Sequence, residues 1–242
     1  MTHFVYVYIK QGVMWDELMY SIMSIRKFFQ GEHKIFVVGD RPGIPGVSHI
    51  PVARVHGGRN PKAQDSIAKL QLIADNKQIN EDFVYMYDDI VLLKPCTEED
   101  LKVTRAIDYV PKPGTYFSPR TRPSKTWINL WLRTMITLQK EGLPTWNYET
   151  HLPRWYNKTN VSSIIQRFNL KNDPMLFASL YYNTLNLAPY EALVTSQTIK
   201  AGVYEPHEPL WIQRNVNGKL FLNYDNAGLN EHLRRYIKNL LK

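Results

Sequence analysis

Phe83-Val84-Tyr85-Met86-Tyr87-Asp88-Asp89-Ile90-Val91-Leu92-Leu93 is the stretch whose reading decides the fold. Two adjacent carboxylates interrupt a run of apolar, β-prone residues. An unpaired carboxylate within a buried strand is strongly destabilising, so the strand is expected to end at Asp88, at the mouth of a cleft. Two readings then compete. A divalent cation would neutralise the pair, because Mg²⁺ and Mn²⁺ take oxygen ligands and commonly bridge one or two carboxylates to substrate phosphates. Alternatively, the acids form an ordinary turn, a position Asp fills readily.

The flanking sequence sets the architecture. Residues 4–9 (FVYVYI) read as a buried strand, and residues 15–29 as an amphipathic helix with Leu18, Ile22, Ile25 and Phe29 at helical spacing. Residues 34–38 form a second strand, stopped by Gly39-Asp40-Arg41-Pro42-Gly43, and residues 47–52 a third extended piece. Strand, helix, strand implies a parallel pair with a crossover helix, hence an α/β fold with a mostly parallel sheet. Ligands of such sheets bind beyond the carboxyl ends of the strands, where Lys10, Asp40 and Arg41 fall.

Residues 61–74 read as a helix, with Pro61 near its start and Asp65 and Lys69 one turn apart. A further helix or turn is expected at 97–100, an extended piece at 110–117, and a strong helix at 124–140 ended by Gly142. In that helix Trp127 and Trp131 belong to the buried stripe. Residues 143–156, rich in Pro, Trp, His and Tyr, have no clean period and read as a loop, with Trp146, Trp155 and Tyr156 available to stack on a sugar or base. Asn160 is expected to cap a helix to residue 168, and Asp173-Pro174 to begin another through Tyr182. The chain closes on an amphipathic helix with Leu233, Ile237 and Leu241 inside and Arg234, Arg235, Lys238 and Lys242 outside. No linker is evident, so residues 1–242 are expected to form one domain with an irregular second half.

Composition narrows the classes. The chain has 242 residues, 44% hydrophobic and 12% aromatic, enough to bury a core and unlike a disordered chain. The lone Cys96 excludes an internal disulfide and a cysteine-rich metal site, which points to a reducing, cytoplasmic setting. No apolar run approaches the ~20 residues of a membrane-spanning helix, and no secretory leader is evident at Met1. A net charge of +8 suits a polyanionic partner such as DNA, an acidic membrane surface or a nucleotide, although the bases are dispersed.

This order of elements, ending in an apolar strand that runs into an acidic pair, resembles the GT-A fold of nucleotide-sugar glycosyltransferases. The resemblance implies an enzyme that uses a nucleotide-sugar donor, a UDP-sugar first among the candidates. In that family an Asp-x-Asp motif after a central strand holds Mn²⁺ or Mg²⁺. Asp89 falls on its second acid, while Tyr87 replaces the first and leaves Asp88 as a partner. A looser similarity is to Stealth-type sugar-phosphate transferases. It rests on the Asp88-Asp89 pair, the early helix around Leu18–Ile25, His151-Leu152-Pro153, and the late segment Asn223-Tyr224-Asp225-Asn226.

The resemblance further implies roles for particular residues. Asp88, Asp89 and His151 become candidates for catalysis, His151 as a group that orients or deprotonates an acceptor hydroxyl. His207 is a candidate third metal ligand, and Asp65 and Lys69 candidates for donor contact beside Lys10, Asp40 and Arg41. Lys94, Arg120 and Arg122 would neutralise the departing diphosphate. The plainer readings are a loop histidine for His151 and His207, and an i,i+4 ion pair for Asp65 with Lys69. The acceptor is expected to be a hydroxymethylated DNA base or, alternatively, a glycan. A nucleic-acid-binding module without turnover is the non-enzymatic alternative.

Overall fold

A strand covered on both faces must be apolar nearly throughout, and β1 (Thr2–Tyr8) meets that demand. The computed structural model describes residues 1–55, 60–111, 125–189, 191–192 and 199–242. Arg120, Arg122 and most of the expected extended piece at 110–117 lie outside the described residues.

The chain then runs through α1 (Glu17–Phe28), β2 (His33–Gly39), β3 (Ser48–Pro51), α2 (Pro61–Asp75), β4 (Asp82–Met86) and β5 (Ile90–Leu92). It continues through α3 (Glu98–Lys102), β6 (Arg105–Ala106), α4 (Lys125–Lys140), β7 (Arg154–Asn157), α5 (Lys158–Arg167) and α6 (Phe177–Thr184). The last elements are β8 (Glu191–Ala192), β9 (Lys200–Val203), α7 (Pro209–Val216), β10 (Phe221–Tyr224) and α8 (Glu231–Leu241).

Three sheets result: five strands in the order β3-β2-β1-β4-β7, three in the order β5-β10-β9, and the pair β6-β8. In the large sheet β1, β2, β3 and β4 are mutually parallel and only β7 is antiparallel. The chain builds outward from β1 to β3, then returns to place β4 on the other side of β1. The connections leaving β1 and β4 therefore diverge, and a crevice opens at their carboxyl ends. One core packs α2, α4, α5 and α6 on one face of the sheet, through Ile73, Met135, Ile165 and Leu180. A second packs α1 on the other face through Leu18, Ile22 and Ile25. The apolar stripe of α8 closes a third core over the small sheet.

Four expectations are corrected. Residues 154–157 are strand β7, not loop, and Tyr156 is buried in an aromatic cluster with Phe177, Tyr181 and Tyr182. Trp155 lies under the Lys102 ammonium. Neither ring is free to stack on a ligand, and Trp146 is half-buried against Tyr109. The cap of α5 is Asn157, whose side chain accepts from the Asn160 N–H, rather than Asn160 itself. Finally, α6 begins at Phe177 rather than at Asp173: the Asp173 carboxylate, which would have capped an earlier start, pairs with Arg133 (2.6 Å), and the Leu176 N–H donates to Thr134 Oγ1 of α4 (3.0 Å).

Cys96 ties the corner after β5 to the end of α1. Its N–H donates to Phe28 O (2.9 Å), and its carbonyl accepts from Gln30 N (2.8 Å).

Gly39 ends β2 at φ +121°, and an added Cβ would stand 2.3 Å from the Tyr8 carbonyl oxygen. Only glycine allows the ends of β1 and β2 to approach this closely, with the Asp40 N–H donating to Tyr8 O at 3.1 Å. Gly12, at φ +89°, has open space around the same atom. Gly39→Ala should therefore cost about 3 kcal/mol or more in urea denaturation, and Gly12→Ala about 1 kcal/mol. Equal losses would refute the close-approach argument.

Candidate active site at the acidic turn

Asp88 and Asp89 are the two central residues of a turn closed by the Ile90 N–H on Tyr87 O (3.3 Å), directly beyond β4. The carboxyl end of β4 therefore carries both acids, and the turn reading and the ligand reading describe the same residues. The turn is pinned from the other side by α1. Ser21 Oγ donates to Ile90 O (2.5 Å), and Ser24 Oγ accepts from Leu92 N (2.9 Å).

Because β7 runs antiparallel to β4, with Tyr85 opposite Arg154, the loop leading into β7 arrives at the acidic end of β4. That loop holds His151, whose Nε2 lies 2.9 Å from Asp89 Oδ1. The backbone of His151 is left-handed at φ 52°, a region histidine visits more readily than most residues. Its ring rests on Tyr87 with centroids 4.5 Å apart, and the Arg154 guanidinium lies 5.3 Å from the same Tyr87 ring. Buried Arg154 pairs with Glu149 (3.1 Å), and Glu149 accepts from the Ser179 N–H and hydroxyl. An unbroken run of contacts thus links α6 to the carboxylate of Asp89.

The electrostatics at the turn are strained in one direction. Burial, followed by the neighbouring Asp89 and Glu17 charges, pushes Asp88 up to about 6. Burial likewise raises Glu17, which stands in the first turn of α1. Tyr8 is raised by burial and then by Asp88 and Glu17. Tyr224 is raised by burial and then by Glu17, Asp89 and Asp88, and its hydroxyl has no hydrogen-bond partner among the described residues. The crevice therefore concentrates negative charge and favours a cationic occupant.

The small sheet beside the turn was marked in the sequence only by the Asn223-Tyr224 segment. Asn223 of β10 is paired with Ile90, so the late Asn223-Tyr224 segment does stand beside the acidic turn. Asn223 is 1% exposed and its Oδ1 accepts from the Tyr204 hydroxyl (3.0 Å). Lys200, at the start of β9, donates to Thr150 O (2.6 Å), one residue before His151. Burial lowers the Lys200 ammonium to about 8, with Asp89 opposing the shift.

The other candidates have different surroundings. The Lys10 N–H donates to Asp40 Oδ2 (2.8 Å), and Lys10, Tyr8, Trp15 and Glu17 line a cavity of about 470 Å³ closed by Pro42, Gly43 and Ile44. This cavity adjoins the crevice but is not lined by Asp88 or Asp89. Arg41 is exposed and, like Asp40, does not line the cavity itself. Asp65 and Lys69 are buried and hold each other at 2.5 Å, while Asp65 Oδ1 also accepts from Val55 N (2.8 Å). Their polar atoms fasten the β3–α2 connection. Lys94 donates to Gly218 O. His207 stacks on Trp211 with ring centroids 3.4 Å apart, and its nearest carboxylate is Glu205, 3.8 Å away.

Among the described residues no three of His, Cys, Asp and Glu gather in a metal-holding cluster, so His207 does not join Asp88 and Asp89. Asp88, raised by burial and then by the neighbouring Asp89 charge, forms with Asp89 a pair of adjacent carboxylates that nonetheless suits a hard cation. Mg²⁺ and Mn²⁺ sites of this type draw their remaining ligands from water and substrate phosphates. The donor set fits such an ion as a two-carboxylate platform.

No protein-family model and no curated protein sequence matches this chain. Among solved structures, the chain is similar to the galactosyltransferase LgtC in complex with donor and acceptor sugar analogues. Identity is 11% and TM-score 0.53, with 99% of this chain and 95% of that one covered. An active-site mutant of LgtC matches at 10% identity and TM-score 0.48 over the same shares. The α/β architecture described above, a mostly parallel sheet flanked by helices, is the GT-A-type fold of that galactosyltransferase.

Proposed function

We propose that this chain is a glycosyltransferase that moves a sugar from a nucleotide-sugar donor, a UDP-sugar in the first instance, to a hydroxyl acceptor. The observation that carries this reading is the acidic turn at the carboxyl end of β4, in the crevice where the sheet order reverses. Asp88 and Asp89 would hold Mn²⁺ or Mg²⁺, which when bound supplies Lewis-acid stabilisation of the departing diphosphate. Lys10, which lines the adjoining cavity, with Asp40 and Arg41 next to it in the fold, would receive the nucleoside. His151, fixed by Asp89 on one side and Tyr87 on the other, would orient or deprotonate the acceptor hydroxyl.

The acceptor is assigned to a hydroxymethylated DNA base, on the support of the +8 charge. Arg154 takes no part in that contact, being buried against Glu149. Arg235, on the exposed side of α8, is a better candidate. A second reading, transfer of sugar-1-phosphate, is favoured by the register that sets Asn223-Tyr224 beside the turn.

Incubation with Mn²⁺ and a panel of nucleotide sugars should release a nucleoside diphosphate; a monophosphate would mean sugar-phosphate transfer. Asp89→Ala should lower release by at least about 10²–10³-fold, with an unchanged circular dichroism spectrum. Undiminished turnover would eliminate the site, and binding without turnover across the panel would leave a binding module.

The raised Asp88 gives a pH signature. Its native pKa exceeds the unfolded value of 3.8, so its ionisation weakens the metal-free fold as pH rises through about 6. Asp88→Asn should melt above wild type at pH 8 and close to it at pH 4. Mn²⁺ should raise the wild-type melting temperature more at pH 8 than at pH 5. A pH-independent difference would refute the assignment.

If DNA is the acceptor, duplex affinity in a mobility-shift titration should fall steeply with salt, and Arg235→Ala should weaken it several-fold. No binding at low salt would turn the acceptor to a glycan.

A further inference from the structure

An enzyme that acts on a base within duplex DNA takes it out of the stack and must offer a flat ring in place of its lost neighbours. The 143–156 loop offers none: Tyr156 is buried, Trp155 lies under Lys102, and Trp146 is half-buried against Tyr109. Among the described Phe, Tyr and Trp residues only two are exposed, Tyr109 at 48% and Tyr204 at 46%. Tyr109 meets Trp146 edge-on, whereas Tyr204 is tied to the acidic turn.

Register sets that position. Ala201 and Val203 of β9 point into the core under the small sheet, so Lys200 and Gly202 face the other way, toward the loop whose Thr150 carbonyl Lys200 binds. Tyr204 follows on this face, one residue beyond the Val203–Tyr224 pair. Its hydroxyl donates to Asn223 Oδ1 (3.0 Å), Asn223 is paired with Ile90, and the Ile90 N–H closes the acidic turn. The ring folds back over Gly202, where an added Cβ would stand 2.7 Å from Tyr204 Cε2 and 2.9 Å from its hydroxyl oxygen. Gly202 is not left-handed, so room for that ring is what its missing side chain provides. Asn223 is 1% exposed, and its Nδ2 has no hydrogen-bond partner among the described residues. The amide is thus held at a net cost, and the bond it does make is to Tyr204. A glycine beneath and a buried amide beside it hold an exposed ring in one place.

The chemistry of this surface favours one occupant. The Tyr204 hydroxyl is committed to Asn223, Lys200 to Thr150, and Asn223 is covered, so the wall presents a ring face rather than directed polar groups. A pyranose is held by directed bonds to its hydroxyls, whereas a nucleobase gains from stacking alone. The net charge of +8 attracts the phosphates that flank such a base. We infer that Tyr204 is the stacking platform for the acceptor base, which is taken out of the duplex and laid over the ring beside the acidic turn. Gly202 and Asn223 are the residues that position it. This deepens, and rests on, the DNA-acceptor reading above.

The test is a fluorescence-anisotropy titration of the full chain, at low salt, with two labelled duplexes. One carries a single hydroxymethylcytosine left unpaired opposite an abasic position; the other lacks that base as well. Wild type should bind the first about tenfold more tightly. Tyr204→Ala should bind both alike, at the wild-type affinity for the second. Gly202→Ala, which displaces the ring without removing it, should lose most of the preference, and Tyr204→Phe should keep it within about threefold. Thermal melts establish that the variants are folded, and Tyr204→Ala, at an exposed position, keeps the test decisive if Gly202→Ala is not. The platform is overturned, with the DNA reading intact, if wild type binds both duplexes alike, if Tyr204→Ala keeps the preference, or if it weakens both duplexes equally. No duplex binding by wild type would overturn the DNA acceptor and the stacked base together. A disaccharide acceptor whose KM rises in Tyr204→Ala would then assign the ring to a pyranose. Tyr204-dependent base binding without nucleotide release from any sugar donor would overturn glycosyl transfer and leave the platform standing.

Discussion

Between Met86 and Ile90 the chain leaves one sheet and enters another. β4 is bonded to β1 and β7, whereas β5 is bonded to β10. Backbone amides in a buried ladder must all find partners, so a change of sheet requires a few residues that belong to neither ladder. Tyr87, Asp88 and Asp89 are those residues. The hydroxyls of Ser21 and Ser24 secure the far side of the change by bonding the backbone of β5 from α1. The acids tolerate their position because a seam between sheets is the one part of the interior that is open at an end. The large sheet, the small sheet and α1 all depend on that junction.

The second constraint is polar and costly. Arg154 and Glu149 are withdrawn from water together, and such a pair seldom adds net stability over apolar substitutes. Its effect here is geometric. Glu149 is fixed by Ser179 of α6, Arg154 by the first ladder position of β7, and Tyr87 by the guanidinium above it. The loop that carries His151 is therefore positioned by the helical layer as well as by the sheet, which compensates for its lack of regular structure.

Much of the fold was legible because it is local. The runs of β1, β2 and β4 and the stripes of α1, α2, α4 and α8 have periods that a window of residues displays. What escaped was set by distant partners. β7 is a strand because Phe83 and Tyr85 stand beside it, and nothing in Arg154-Trp155-Tyr156-Asn157 announces that pairing. The start of α6 is moved by an arginine of another helix, Arg133, which takes the Asp173 carboxylate. Asn157 and Asn160 are chemically equal caps, and Glu81, which takes the Lys158 and Thr159 N–H groups, decides between them. In the candidate site the acidic pair was visible as polarity inside an apolar run, and His151 as a residue near a proline. Lys200 is one lysine among many, distinguished only by the burial that a long-range sheet imposes.

The single cysteine of the chain sits where α1 is tied to the corner after β5. Burial, followed by the nearby Asp100 charge, pushes the Cys96 thiol up to about 12, so it is both shielded and held in its unreactive form. An alkylating reagent can reach it only when that corner opens. With one such thiol, the rate of labelling in native buffer becomes a clock for the parting of α1 from the corner after β5, resolved from global unfolding by its dependence on denaturant. Ligands that grip both sides of the junction should slow the clock, whether or not they are ever turned over.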